Sequence, residues 1–324
     1  MKPRVFVTRN LPPAALDILA AECQVEVNRR DRILAPAQLV AKVRGVEGLV
    51  CLLVDPIDAT VLGSAPGLKI VSNVAVGYDN IDVTAATRRK ILVTNTPGVL
   101  DNTTADFAFT LLLAAARRVV EADAYLRAGR WREWGLMLFT GQDIHGKTLG
   151  ICGLGRIGRA VARRARGFEM RILYTDAVRA DEATERELGV TFVDKPTLLS
   201  ESDFVTLHVP LLPETRHYLS TAEFRQMKRT AILVNASRGP VVDERALVRA
   251  LRGGLIAGAG LDVYEREPRV ERGLLGLKNV TLAPHIASAS VATRTRMATM
   301  AAENCVAGLR GRRPPNLVNP EALG

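Results

Sequence analysis

The stretch Thr148-Leu149-Gly150-Ile151-Cys152-Gly153-Leu154-Gly155-Arg156-Ile157-Gly158 most narrows what this chain can fold into. Its short apolar run predicts a buried strand. Gly153 breaks the run, and helical periodicity follows from Ile157 through Arg166. Gly153, Gly155 and Gly158 spell G-x-G-x-x-G. In that pattern the first glycine allows a tight turn, the second lets backbone approach a pyrophosphate, and the third lets helix and strand pack closely. Glycine triplets also occur in ordinary turns, so the weight lies in the context. A strand precedes these glycines and a helix follows them, and a helix N-terminus offers unpaired N–H groups to phosphates. A second strand, Arg171–Asp176, ends in an acid 18 residues after Gly158 (176 − 158). That is where a dinucleotide-binding fold places the carboxylate for the adenosine ribose hydroxyls. Gly153, Leu154, Gly155, Arg156, Ile157, Gly158 and Asp176 are thus candidate contacts to NAD(H).

The first hundred residues alternate strand and helix. Strand-like runs are Arg4–Thr8, Cys23–Val27, Gly48–Val54, Leu68–Ser72 and Ile91–Asn95, with helix-like pieces Pro13–Ala21, Pro36–Arg44, Ala59–Leu62 and Thr84–Arg89 between them. Repeated β-α units predict a parallel sheet with helices on both faces, with ligands at the carboxyl ends of the strands. The loop Asn73–Asn80 falls at such an end. It is either a plain turn or, with Gly77 permitting unusual backbone angles, a cradle of N–H groups for a carboxylate. A long helix is then expected from Thr103, with Thr103 and Asp106 as a variant capping box, to about Ala128, where Gly129 can end it. Its first half is apolar nearly all round, which demands burial on several sides. Trp131–Gln142 reads as an extended arm. Later strands are expected at Phe204–His208, Ala231–Asn235, Ile256–Leu261 and Val280–Ala283, and a last helix at about Ser288–Leu309. The fold class is α/β, with two doubly wound parallel-sheet domains.

Composition bounds the rest. The chain has 324 residues, 48% of them hydrophobic, enough for two domains. No run of about 18 apolar residues marks a membrane span, and the N-terminus enters a strand without a signal-peptide core. Cys23, Cys51, Cys152 and Cys305 match no metal spacing and read as reduced, packed thiols of a cytoplasmic protein. A net charge of +10 admits nucleic-acid binding, attraction of anionic substrates, or a solvated basic surface. The arginines are scattered over predicted helices without interleaved aromatics, which favours the last and argues against a nucleic-acid partner.

Each strand of the second half ends in a polar or turn cluster, which brings Arg238, Asp262 and His285 to the edge that carries the glycine loop. Hydride reduction of a ketone needs a proton donor for the forming alkoxide, and a histidine can supply it near neutral pH. A carboxylate such as Glu267 favours the imidazolium. An arginine fork, here Arg238, matches a substrate carboxylate. By spacing alone, three structural polar residues would fit as well.

The sequence resembles the D-isomer-specific 2-hydroxyacid dehydrogenase family, and within it glyoxylate/hydroxypyruvate reductases. The resemblance spans nearly the whole chain. It is carried by Ala75–Asp82, Thr94–Leu100, Gly146–Gly158, Asn235–Gly239, Gly260–Pro268 and Ala283–Ser288, in the family's order. It implies that Arg238 binds the substrate carboxylate and carbonyl, that His285 is the acid/base, and that Glu267 is its partner. It implies backbone N–H groups of Val76 and Gly77 on the substrate carboxylate, with Leu53 lining the site. Asp262 would hold the nicotinamide amide, and Thr104, Pro210, Thr215 and Ala236 would line the cofactor cleft. The implied architecture is a discontinuous, flavodoxin-like substrate domain, residues 1–98 and 287–324, and a Rossmann NAD-binding domain, residues 99–286. The family further implies a homodimer through the Thr103–Ala128 helix, with Trp134 reaching the neighbour's site.

Relatives that use NADPH often place a small residue and basic residues at the end of the second strand. Here Asp176 stands there, so NAD(H) is the expected cofactor, with NADP(H) possible because Arg179 is close in sequence. Two alternatives share the motifs: a dehydrogenase of another acid, such as 3-phosphoglycerate or phosphite, and an NAD(H)-sensing co-repressor. The intact trio argues against the co-repressor. The phosphite enzymes carry a lysine in the Val74–Gly77 loop that this chain lacks.

Overall fold

The computed structural model describes all 324 residues. It divides into two compact units, Met1–Leu100 with Ala289–Gly324, and Asp101–Ser288. The first unit runs β1 (Arg4–Val7), α1 (Pro13–Glu22), β2 (Gln24–Val27), α2 (Pro36–Val43), β3 (Gly48–Cys51), α3 (Ala59–Gly63), β4 (Ile70–Asn73), α4 (Val83–Arg88) and β5 (Leu92–Thr94). The strands pair in parallel in the order β2-β1-β3-β4-β5, the flavodoxin-like order. β3, β4 and β5 are buried along their whole length, which is why they show no alternation of apolar and polar residues. Aspartates start two of the helices: Asp58 and Asp82 each accept the N–H three residues on, at 2.9 and 2.8 Å.

The second unit opens with α5 (Asp101–Ala116) and α6 (Val119–Arg127). It continues β6 (Thr148–Cys152), α7 (Arg156–Arg166), β7 (Arg171–Thr175), α8 (Glu182–Leu188), β8 (Val190–Phe192), α9 (Lys195–Glu201), β9 (Phe204–Leu207), α10 (Thr221–Gln226), β10 (Ile232–Asn235), α11 (Glu244–Arg252), β11 (Gly258–Leu261), α12 (Arg272–Leu275) and β12 (Val280–Leu282). Its seven strands are parallel in the order β12-β11-β10-β9-β6-β7-β8, a Rossmann sheet with one further strand, whose direction of winding reverses between β6 and β9. Both units are therefore the doubly wound α/β type the sequence predicts. α7 shows how the basic residues are accommodated. Gly158, Ala160, Val161, Ala162 and Ala165 are buried, while Arg156, Arg163 and Arg166 stay at the surface. The chain then returns to the first unit as α13 (Val291–Leu309), which packs on α1, β3, β4 and β5. No helix is long and apolar enough to cross a membrane.

The helix expected over Thr103–Ala128 is two helices. α5 ends because the Ala116 carbonyl accepts from the Gln142 N–H at 2.9 Å, with Gly141 pressed against it. Arg118 then takes a left-handed backbone (φ +53°), fixed by two bonds to Glu121 at 3.0 and 2.9 Å and by stacking 5.0 Å from the Phe139 ring. The start also differs. Thr103 lies inside the helix, and Asp106 faces Arg164 at 2.7 Å instead of capping. Gly129 follows the end of α6 with φ +64°, the left-handed stop expected of it.

Candidate active site

The glycine loop joins β6 to α7. Gly153 has φ +94°, and a Cβ there would sit 2.8 Å from the His208 carbonyl carbon. A Cβ on Gly158 would sit 2.1 Å from the Gly153 oxygen. The protein's own packing thus demands the first and third glycines. A Cβ on Gly155 would meet nothing within 4 Å, so packing does not explain the second. It leaves open backbone at the α7 N-terminus, flanked by Leu154, Arg156 and Ile157, and a dinucleotide pyrophosphate fits that opening. At the end of β7, Asp176 accepts the Leu154 N–H and the Ala177 N–H, both at 2.7 Å. Strand end and glycine loop are thereby locked together through the carboxylate. The Thr215 hydroxyl donates to the Pro210 carbonyl at 2.6 Å and accepts the Leu212 N–H at 2.7 Å, closing the turn after β9. Thr104 on α5 and Ala236 after β10 are both buried.

Two strand ends build the acid/base pair. His285 follows β12 with φ +55°, an unfavourable backbone for a residue with a Cβ. Asp262, fully buried after β11, holds it there. Its carbonyl accepts the His285 N–H at 2.8 Å, and its carboxylate accepts from Ile286 at 2.7 Å and Ala287 at 2.8 Å. Burial raises the Asp262 carboxyl above its usual range against the pull of those N–H groups and the nearby imidazole. Sequence reasoning gave Asp262 only a role toward the nicotinamide, yet its two oxygens already position the histidine. His285 Nδ1 lies 2.7 Å from Glu267 Oε2, and Glu267 Oε1 accepts the Tyr264 N–H at 2.9 Å. Burial pushes the Glu267 carboxyl up. The His285 bond and charge, the Tyr264 N–H and the Arg238 guanidinium outweigh it and keep the group below the usual range, hence ionised. With Nδ1 engaged, Nε2 is the nitrogen left for proton exchange.

Arg238 sits in the turn after β10. Its carbonyl accepts from Asn235 Nδ2 at 3.0 Å, and Asn235 Oδ1 accepts the Ser237 N–H and hydroxyl at 3.0 and 2.9 Å. The next residue, Gly239, lies backbone to backbone on the glutamate loop: a Cβ there would fall 1.9 Å from the Tyr264 carbonyl carbon and 2.4 Å from the Glu265 nitrogen. Glu244 and Glu265 add a reciprocal clasp. Glu244 accepts the Glu265 N–H at 2.8 Å, and Glu265 accepts the Glu244 N–H at 2.9 Å. Glu244 is buried, and burial raises its carboxyl. Sequence reasoning missed both Gly239 and Glu244. The available signal was a glycine directly after the candidate arginine, which can mark a close approach.

The remaining candidates, Leu53, Val76 and Gly77, lie in the first unit at the carboxyl ends of β3 and β4, and side-chain amides shape them. Asn73 donates to the Gly77 carbonyl at 2.8 Å, and Asn95 donates to the Val76 carbonyl at 2.8 Å. Asn80 ties this loop to the other by donating to the Leu52 and Asp55 carbonyls at 3.1 and 3.0 Å. The carbonyls are drawn inward, and the Val76 and Gly77 N–H groups make no backbone hydrogen bond. The loop is thus held by side-chain amides on its carbonyls.

Residues 109–287 match the family described as D-isomer specific 2-hydroxyacid dehydrogenase, NAD binding domain. The chain belongs to the D-isomer specific 2-hydroxyacid dehydrogenases. It is 57% identical over 325 residues to a glyoxylate reductase of Korarchaeum cryptofilum, covering 100% of this chain and 98% of the relative. It is 53% identical over 327 residues to a glyoxylate reductase of Thermococcus gammatolerans, with the same coverage. Among solved structures, an NADPH-dependent glyoxylate/hydroxypyruvate reductase of Sinorhizobium meliloti, in complex with NADP and malonate, is similar with a TM-score of 0.88 at 35% identity, over 99% of this chain and 98% of that one. A protein of Thermus thermophilus is similar with a TM-score of 0.91 at 47% identity, covering 97% of this chain and 99% of that one. Like the rest of the D-2-hydroxyacid dehydrogenase family, this chain is an oxidoreductase built on a Rossmann domain for a nicotinamide dinucleotide.

Proposed function

We propose that this dehydrogenase is a glyoxylate reductase. It reduces a small 2-oxo acid, glyoxylate or hydroxypyruvate, to the D-2-hydroxy acid, preferring NAD(H) and admitting NADP(H). The observation that carries this reading is the His285–Glu267 pair at 2.7 Å, set on the strand edge that holds Arg238 and the glycine loop. The names of the relatives support the choice of substrate.

When bound, the nicotinamide supplies hydride to the carbonyl carbon. Arg238 grips the substrate carboxylate and polarises the carbonyl. His285 gives its Nε2 proton to the oxygen as the C–O bond becomes single, and Glu267 stabilises the imidazolium beforehand. Gly153–Gly158 hold the pyrophosphate and Asp176 the adenosine ribose. Thr104, Pro210, Thr215, Ala236 and Asp262 line the cofactor side, while Leu53, Val76 and Gly77 line the substrate side. The second unit, Asp101–Ser288, is then the NAD-binding domain expected over 99–286, and the first, Met1–Leu100 with Ala289–Gly324, the substrate-binding domain expected over 1–98 and 287–324.

The working form is a homodimer. α6 buries none of its residues and exposes Val119, Val120 and Leu126, and the arm beyond it exposes Trp131, Trp134, Leu136 and Met137. Apolar surface of that extent needs a cover, and a second copy with Trp134 at the neighbour's site supplies it. All four cysteines are free and buried, which suits the cytoplasm.

A steady-state panel of 2-oxo acids with NADH and NADPH tests the proposal. Glyoxylate or hydroxypyruvate should lead, and His285→Ala should lower kcat by roughly 10²–10⁴-fold with cofactor affinity nearly intact. Cofactor binding without turnover of any 2-oxo acid would refute it.

A further inference from the structure

The loop after β7 carries two opposite charges beside the expected ribose site: Asp176 at its start and Arg179 three residues on. An arginine near this position is what accommodates a 2′-phosphate in NADP-binding relatives of the fold. Here the Arg179 guanidinium is already taken. Its Nε and Nη2 each donate to a Glu185 oxygen at 2.9 Å, and it lies 5.7 Å from the Phe192 ring, over β8. Glu185 does not follow the arginine. The Tyr174 hydroxyl donates to it at 2.6 Å from a ring that is completely buried in β7, and the same hydroxyl accepts the Ala180 N–H at 2.9 Å. The Glu185 side chain is 12% exposed and that of Arg179 60%, so the acid is the enclosed partner and the arginine the exposed one. The bonds from Arg179 and Tyr174 draw the Glu185 carboxyl down to about 2, so it stays ionised throughout the working range.

We propose that Glu185 is a specificity-determining residue for the cofactor: by holding Arg179 in a two-bond clasp against Tyr174, it withholds that cation from a 2′-phosphate and sharpens the preference for NAD(H). Asp176 repels the phosphate, and Glu185 removes the charge that would offset the repulsion. Reaching the ribose would require Arg179 to break both bonds to a fixed carboxylate, a stronger type of contact than a neutral pair. This inference rests on the reading that the glycine loop and Asp176 bind the dinucleotide.

The test is kcat/KM for NADH and for NADPH at saturating glyoxylate, with fluorescence titration of NADPH alone, in wild type, Glu185→Gln, Arg179→Ala and the double variant. Glu185→Gln should raise the NADPH-to-NADH ratio about fivefold or more, since a gain of that order corresponds to about 1 kcal/mol. The double variant should return to the wild-type ratio. Arg179→Ala alone should leave the ratio within twofold, because the arginine is already sequestered. That arm also serves if Glu185→Gln folds poorly. A fall in NADPH use in Arg179→Ala, an unchanged ratio in Glu185→Gln, or a gain that survives in the double variant each overturns the proposal. A wild-type protein that binds neither dinucleotide overturns the underlying reading instead.

Discussion

Replacing Glu267 by glutamine keeps the shape of the acid/base pair and deletes one charge. In the native protein the carboxylate lies 2.7 Å from His285 Nδ1, and the two side chains are 23% and 24% exposed. With charge centres about 4 Å apart and an effective dielectric near 20, a charge pair of this kind is worth on the order of 4 kcal/mol. Partial solvation of both groups cuts this to roughly half, so deleting the charge should cost about 1–3 kcal/mol of support for the protonated imidazole. The sign follows from which form reacts. Reduction needs the protonated imidazole, so its rate falls as pH rises, and losing the negative charge moves that fall to lower pH. Glu267→Gln should therefore lose about 10–100-fold in kcat for glyoxylate at alkaline pH and converge on wild type as the pH is lowered. Oxidation of glycolate needs the neutral imidazole, so its acid limb should move down by the same amount. Because the native Glu267 carboxyl is held below the usual range, its own titration does not shape either limb near neutral pH. The assay is kcat against pH in both directions. A loss that is uniform across pH, or limbs that superimpose on wild type, would refute the reasoning.

The other expectations are narrower. Arg238→Lys keeps charge but loses the bidentate fork, so kcat/KM for glyoxylate should fall by at least about 10²-fold; an unchanged value would show that Arg238 does not clamp the substrate. Gly239→Ala places a Cβ 1.9 Å from the Tyr264 carbonyl carbon and must shift the Glu267 loop away from the arginine turn. A misplacement of about 1 Å costs on the order of 10²-fold in rate, and NADH affinity should change far less; full activity would show that the two loops move independently. Wild type should show a lower KM for NADH than for NADPH, and Asp176→Ser should narrow or reverse the gap. Like charges about 4 Å apart cost on the order of 4 kcal/mol at a dielectric near 20, and even a quarter of that is about fivefold in affinity. A wild-type preference for NADPH would sink that reading of the second strand and leave the family assignment intact.

What could be read from the chain and what could not separate along a physical line. Buried parallel strands are apolar runs with turn residues at their ends, so β6, β9 and β10 were legible within a residue or so, and the acid at the end of β7 stood out by its spacing. The glycine loop was legible because backbone approach leaves glycine as the residue that fits. β8 was not. It is three residues long at a sheet edge, too short for any period to register. The break between α5 and α6 was invisible for a different reason. Local propensity continues through Arg117 and Arg118, and the interruption comes from Gln142, which takes the Ala116 carbonyl from 26 residues away (142 − 116). The same distinction runs through the site. Position at strand ends picked out Arg238, Glu267 and His285 as candidates, but spacing alone fitted structural polar residues equally, and the family resemblance supplied their expected roles. The residues that brace the loops around the candidates are ordinary ones whose roles exist only in contact: Asp262 under the His285 turn, Glu244 clasping Glu265, Asn80 tying the Asn73–Asn80 loop to Leu52, and Glu185 holding Arg179. Arg179 shows the cost of lacking that information. In the sequence it is a cation close enough to the ribose to blur cofactor choice. In the structure its charge is committed to a carboxylate held by a buried tyrosine, a contact that no local pattern announces.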